Sequence, residues 1–328
     1  MSRILVVRPD KLGDLLLSTP VLRAVADEGN ELDLWCPPPL VDFASRLTSV
    51  HKVRGVPFRP RMSEVPALAR EMKGYDALLL LRNDSSGYAI AGALARIPKR
   101  VGVARKAARF FLTHNQPHLY PLGEGHIVAR IFDIARPLLS NRDNRHPLEF
   151  PVPEPALARG RAAIPPGSAV IHPGTGGSAR ALPPSAWREV AKRLAPRFEV
   201  CVTGGPGEES LAEEVAEGIG RPVTGLSLEE LAAGLQTARL LLCGSTGVLH
   251  LATSQRTPVV LVEPTPDAAK NVARWSPWMT PYQAVVASRV CEGCADRRCH
   301  RRGEACVSSI STDAIENAVY RLLESTES

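Results

Sequence analysis

Three short stretches of this chain combine glycine with groups able to move a proton or hold an anion. The first, Arg8-Pro9-Asp10-Lys11-Leu12-Gly13-Asp14, follows the apolar run Ile4-Leu5-Val6-Val7. Gly13 permits a tight turn, and Asp14 stands where a helix should begin. A carboxylate there either caps the helix or projects outward as a general base, and spacing alone leaves both readings open. The second, His172-Pro173-Gly174-Thr175-Gly176-Gly177-Ser178-Ala179-Arg180, sets backbone N–H groups ahead of a predicted helix. It suits a phosphate completed by Arg180, or is a plain glycine turn. The third, Gly244-Ser245-Thr246-Gly247-Val248-Leu249-His250, offers N–H groups and hydroxyls at another helix start, with His250 on the first turn. Gly204-Gly205-Pro206-Gly207-Glu208-Glu209 adds an acidic group for ribose hydroxyls or for helix capping. None of these is a Walker loop or a G-x-G-x-x-G fingerprint. Two phosphate-type loops in one half of the chain favour a nucleoside diphosphate group between them.

The elements that must position these loops follow a repeated rhythm of apolar run, polar break and helical segment. Buried strands are predicted at 4–7, 32–36, 77–81, 100–103, 169–172, 200–203, 240–243 and 258–262. Helices are predicted at 14–27, 39–47, 86–95, 187–194, 208–219 and 248–254. Strands that are apolar throughout and alternate with helices indicate parallel α/β sheets, whose ligands bind at the carboxyl ends of the strands. The rhythm breaks near 140–167, where Pro147, Pro151, Pro153, Pro155, Pro165 and Pro166 crowd together, and that stretch reads as a linker. Two similar α/β domains, 1–157 and 158–328, are expected.

The chain has 328 residues, 44% hydrophobic and 23% charged, which excludes disorder and fits two globular domains. No apolar run approaches the roughly 18 residues of a membrane span, and no signal-peptide pattern opens the sequence, so a cytoplasmic protein is expected. Residues 1–157 hold 22 Lys and Arg against 16 Asp and Glu, and residues 158–328 hold 18 against 18. The whole excess of +6 therefore lies in the first domain, an electrostatic argument for an anionic partner there. Arg100, Arg105, Lys106 and Arg109 cluster beside the strand at 100–103 and are candidate contacts, with Lys11. Nucleic acid is excluded as that partner by the 5% aromatic content and the lack of any recognition motif. Cys36, Cys201 and Cys243 fall in apolar runs and read as core thiols. Cys291, Cys294, Cys299 and Cys306 form a Cys-rich segment at 291–306, with spacing that suggests a structural Zn²⁺ against disulfides or free thiols.

Taken in order, four of these motifs resemble the signatures of the heptosyltransferases, glycosyltransferase family 9. They are Ile4 to Pro20, His172-Pro173-Gly174, Thr203-Gly204-Gly205-Pro206 and Ser245-Thr246-Gly247-x-x-His250-Leu251-Ala252. The resemblance implies a GT-B fold, with two Rossmann-like domains whose parallel sheets face a central cleft. It implies an inverting, metal-independent transfer of heptose from an ADP-sugar to a phosphorylated lipopolysaccharide-core acceptor, anionic and lipid-linked, reached at the inner face of the cytoplasmic membrane. The N-terminal domain would hold the acceptor and the C-terminal domain the donor. Asp14 matches the family's base. Thr175, Gly176, Arg180, Glu208, Ser245, Thr246, Gly247 and His250 fall on its donor-binding positions. Arg180 stands where the family usually has lysine, and Ser245 where it often has aspartate. Those departures motivate the alternative of a nucleotide-sugar-binding protein of the same fold without catalysis. A family member acting on a different acceptor is a second alternative.

Overall fold

The computed structural model describes residues 1–119, 125–140, 145–177, 180–264, 268–289 and 306–327. The chain separates between Pro151 and Val152 into two compact units. In the first, β1 (Arg3–Val7), β2 (Glu31–Cys36), β3 (Lys52–Gly55), β4 (Ala77–Leu80), β5 (Lys99–Gly102) and β6 (His114–Asn115) form a parallel sheet ordered β3-β2-β1-β4-β5-β6. Its helices are α1 (Leu12–Leu16), α2 (Thr19–Asp27), α3 (Val41–Ala44), α4 (Val65–Glu71), α5 (Ser86–Leu94) and α6 (Ile127–Ala135). Central strands such as β4 are buried at every position because helices cover both faces. Leu5, Val7, Leu78 and Leu80 face one side, against Met72, Tyr88 and Ala91 from the flanking helical segments.

The predicted helix at 14–27 is two helices. Pro20 has no N–H to give Leu16, and Thr19 Oγ1 takes the Leu16 carbonyl instead at 2.7 Å. The chain therefore turns at Leu17-Ser18, and α2 starts afresh with Pro20 in its first turn, a favoured place for proline. The predicted helix at 39–47 shrinks to α3 after a single tight turn at Pro38–Leu40.

The second unit repeats the plan. β7 (Ala169–His172), β8 (Val200–Thr203), β9 (Arg221–Val223), β10 (Leu240–Cys243), β11 (Val259–Glu263) and β12 (Tyr282–Val286) pair in the order β12-β11-β10-β7-β8-β9. Read from its own first strand, this is the same order as in the first unit, and it is the doubly wound Rossmann arrangement. Its helices are α7 (Glu154–Ala163), α8 (Pro184–Leu194), α9 (Glu209–Ala216), α10 (Leu228–Leu235), α11 (Gly247–Ser254), α12 (Ala268–Trp275) and α13 (Thr312–Glu327). Alternate residues of four strands, 169/171, 200/202, 240/242 and 260/262, pack beneath Trp187, Val190, Val215, Val319 and Leu322. No helix among the described residues is long and apolar enough to cross a membrane.

The stretch read as a linker carries α7, and that helix belongs to the second unit, so the break falls before residue 157. Gly160 explains the attachment. A Cβ there would lie 2.2 Å from the Glu230 carbonyl oxygen of α10, so the two helix backbones approach closely. Arg159 reinforces the contact with an ion pair to Glu230 at 3.2 Å.

Candidate functional site

In each sheet the winding direction reverses between two neighbouring strands, β1 and β4 in the first unit and β7 and β10 in the second. Ligands of such sheets bind outside the carboxyl ends of those strands. In the first unit, β1 ends at Val7 and passes the chain to Arg8, which is only 5% exposed. A buried guanidinium must find acceptors, and Arg8 finds them on helix α1 and just after β4. Its Nη2 lies 3.2 Å from Asp14 Oδ1, its Nε donates to the Asp14 carbonyl at 3.2 Å, and its Nη1 donates to the Leu81 carbonyl after β4. Nη1 also lies 3.4 Å from Asp10 Oδ2, and Arg82 Nε lies 3.4 Å from Asp10 Oδ1. Burial raises the pKa of Asp10, partly opposed by the positive Arg8. The Arg82 guanidinium in turn lies 3.8 Å over the Phe58 ring.

Asp14 does not cap its helix. Lys11 holds the N-cap position of α1 without a side-chain bond, and Asp14 lies in the first turn. Its carboxylate is 33% exposed, with Oδ1 against Arg8. This is an oriented carboxylate with an open side, the arrangement a proton acceptor requires.

Two of the predicted acceptor contacts lie in the loop after β5, which is tied to the loop after β4. Asp84, after β4, has φ 52 and accepts from the backbone N–H groups of Arg105 and Lys106 at 3.0 and 3.1 Å. Asp84 N–H donates to the Val103 carbonyl at 3.0 Å, so the loops after β4 and β5 are tied together and both basic residues are exposed. Lys11 is exposed as well. Arg100 is different. It sits near the start of β5, donates from Nε to the Phe111 carbonyl at 2.6 Å and from Nη1 to the Ile97 carbonyl, and is a structural tie. Arg8, Asp10, Arg82 and Asp84 have no role of their own among the sequence expectations, although charges directly following a wholly apolar strand are a usable signal.

In the second unit, Glu208 joins two glycine loops. Its Oε1 accepts from Gly176 N–H at 3.2 Å and its Oε2 from Gly205 N–H at 3.1 Å. A Cβ on Gly174 would meet Glu208 Oε1 at 2.2 Å, so glycine is required for the carboxylate to enter. Gly176, with φ 53, has the left-handed backbone that lets the loop curl around it. Below lies His172, with Nδ1 3.1 Å from Thr203 Oγ1 and Nε2 3.8 Å from Glu208 Oε2. Burial lowers the His172 pKa, against the pull of Glu208, so the imidazole is held towards its neutral form.

The third loop lies alongside, because β7 and β10 pair with His172 opposite Cys243. A Cβ on Gly244 would lie 3.7 Å from Thr175 Cγ2, which places the two loops in contact range. Thr246 is the N-cap of α11 with no side-chain capping bond, and its hydroxyl is buried without a hydrogen-bond partner in a residue 7% exposed. Gly247 opens that helix, so the N–H groups of its first turn point the same way. Ser245 precedes it half-buried. His250 is buried on α11 with its ring centre 6.5 Å from that of Trp275.

Arg180 is buried, and its Nη1 donates to Cys306 Sγ at 2.9 Å. The predicted phosphate contact is thus engaged with the last residue of the cysteine segment. Cys291, Cys294 and Cys299 lie outside the described residues. The core thiols are as expected: burial pushes Cys36 up to about 12 and raises Cys201 and Cys243.

Residues 65–303 match the family model of glycosyltransferase family 9 (heptosyltransferase). The fold is similar to a glycosyl transferase family 9 structure from Veillonella parvula, with TM-score 0.82 and 17% identity, covering 99% of this chain and 97% of that one. It is also similar to the E. coli ADP-heptose lps heptosyltransferase II, with TM-score 0.75 and 17% identity over 99% of this chain and 100% of that one. A third match is E. coli heptosyltransferase WaaC with ADP-2-deoxy-2-fluoro heptose, with TM-score 0.69 and 20% identity over 97% and 99% of the two chains. These likenesses show the GT-B fold.

Proposed function

The chain belongs to glycosyltransferase family 9, and on that premise we propose that this glycosyltransferase moves a heptose or related sugar from an ADP-sugar to a phosphorylated acceptor of the lipopolysaccharide-core type. The second unit holds the donor and the first the acceptor. The observation that carries the donor assignment is Thr246, a buried hydroxyl with no partner at the head of α11. An unsatisfied buried hydroxyl is costly, and a diphosphate oxygen accepting from it and from the α11 N–H groups would relieve that cost. Thr175 and Gly176 flank the same place. Glu208 stands ready for ribose hydroxyls, and Ser245, Gly247 and His250 complete the surroundings. A donor analogue bound to a protein of the same fold supports ADP as the nucleotide.

In the reaction an acceptor hydroxyl oxygen bonds to the anomeric carbon as the bond from that carbon to the diphosphate oxygen breaks, inverting the centre. Asp14 Oδ takes the hydroxyl proton and the diphosphate leaves with the electron pair. Arg8 fixes the carboxylate rotamer so that the base needs no reorganisation. Hydroxyls and N–H groups stabilise the departing charge, so the mechanism needs no metal.

Lys11, Arg105 and Lys106 supply positive charge for an anionic acceptor. Exposed Phe58, Met62 and Phe110, interleaved with Arg59, Arg61 and Arg109, suit a lipid-linked acceptor at a membrane face. Native mass spectrometry against a panel of nucleotide sugars tests the donor. An ADP-sugar should be retained over UDP- and GDP-sugars, and the reverse order overturns the assignment.

A further inference from the structure

At the opposite, amino edge of the first sheet lies a second polar cluster that the reaction does not use. Glu31 opens β2, Asp33 follows two residues later, and His51 immediately precedes β3. His51 Nδ1 lies 3.3 Å from Asp33 Oδ1 and 3.6 Å from Glu31 Oε1, and one ligand atom from each residue falls within 4.8 Å of the others. A tetrahedral ion with bonds of about 2.1 Å holds its ligands about 3.4 Å apart. The two imidazole–carboxylate separations bracket that value.

Charge favours a cation. Asp33 is 2% exposed, and the Arg3 guanidinium is shared by both carboxylates, at 3.0 Å from Glu31 and 3.3 Å from Asp33. Tyr75 donates its hydroxyl to the Asp33 oxygen facing away from His51. Two carboxylates and one guanidinium leave a net charge of −1 beside the imidazole. Glu31 and His51 also line a pocket of about 670 Å³, and so does Ser49. Ser49 is 7% exposed, and its hydroxyl has no hydrogen-bond partner.

We propose that Glu31, Asp33 and His51 form a structural site for a divalent cation of the Zn²⁺ class, entered from this pocket. One imidazole and two carboxylates match Zn²⁺, Mn²⁺ or Fe²⁺ better than Mg²⁺ or Ca²⁺, which prefer oxygen alone. The ion clamps the start of β2 to the start of β3 and leaves the Arg8–Asp14 centre untouched.

The test is calorimetric titration of metal-free protein with Zn²⁺ in a Cys291→Ser/Cys294→Ser/Cys299→Ser background, which leaves only the buried Cys306 of the cysteine segment and so breaks up the competing thiolate set. Mn²⁺ titration followed by electron paramagnetic resonance serves as a second probe. One ion should bind, and melting temperature should rise with its concentration by mass action. His51→Ala and Glu31→Gln should each raise the Zn²⁺ Kd at least about 100-fold, the upper end of what even outer-shell losses cost. Sugar transfer should be unchanged in both. His51 is largely exposed, so its variant should fold, and circular dichroism checks this. Failure of either ion to bind the background protein, or equal affinity in both variants, overturns the site.

Discussion

Asp14 owes its orientation to a residue six positions earlier. Arg8 holds one carboxylate oxygen while the other side stays open to solvent, so exchange of Asp14 for Asn keeps the shape and removes the basicity. Turnover in Asp14→Asn should fall about 10²–10⁴-fold, the usual contribution of a general base, with donor affinity nearly unchanged. A single-turnover assay with parallel donor titration checks this, and near-normal turnover would reduce Asp14 to a residue that merely favours the helix start. Thr246→Val separates donor contacts from packing, because valine fills the same volume without the hydroxyl. A hydrogen bond to a charged phosphate contributes about 1.5–3 kcal/mol, so ADP should bind roughly 10–100-fold more weakly and adenosine equally well. Asp14 and Thr246 were both legible in the sequence, since each follows an apolar strand and opens a helix. Arg82 was not, because its pairing with Asp10 exists only once β1 lies beside β4. Arg180 makes a contact that no sequence pattern announces, since its Nη1 donates to Cys306, which is 126 residues distant in sequence.

The central strands were readable for a simple reason. A parallel strand covered on both faces is apolar at every position, as β4 and β10 are. The edge strands escaped notice because β3, Lys-Val-Arg-Gly, and β9, Arg-Pro-Val, are short and polar, as exposed edges tend to be. Helix α7 was hidden by its prolines. Pro153 and Pro155 look like linker residues, yet Pro155 occupies the first turn of α7, where its missing N–H costs nothing. The helix is held by the close approach of Gly160 to α10, which allows a clean test. By helix propensity alone, Gly160→Ala should stabilise by about 1 kcal/mol. The Cβ would instead strike the Glu230 carbonyl, so we expect a net loss of about 1–3 kcal/mol in a denaturant titration. A gain in stability would show that α7 and α10 can separate without cost.

At the scale of the whole chain, charge and topology carry the functional argument together. The excess positive charge lies wholly in residues 1–157, and Arg105 and Lys106 present part of it at the carboxyl edge of the first sheet. Their side chains are exposed, so their attraction for a phosphorylated acceptor should decay over the screening length of about 8–10 Å at ordinary ionic strength. Acceptor affinity should fall as salt rises, and should fall less steeply in an Arg105→Ala/Lys106→Ala variant. That variant keeps the backbone N–H groups that bind Asp84, so its loop should survive. Affinity indifferent to salt in both proteins would remove the anionic acceptor. The packing of α7 on α10 also has a consequence for how the chain is made. The helix is synthesised at the outset of the second unit, but its partner backbone emerges only some seventy residues later. Until the ribosome has passed Leu235, the α7 face waits uncovered, and β7 through β9 form a sheet without one of its flanking supports. A nascent chain arrested between these helices should expose the α7 segment to protease far more than one arrested after the whole second unit has emerged.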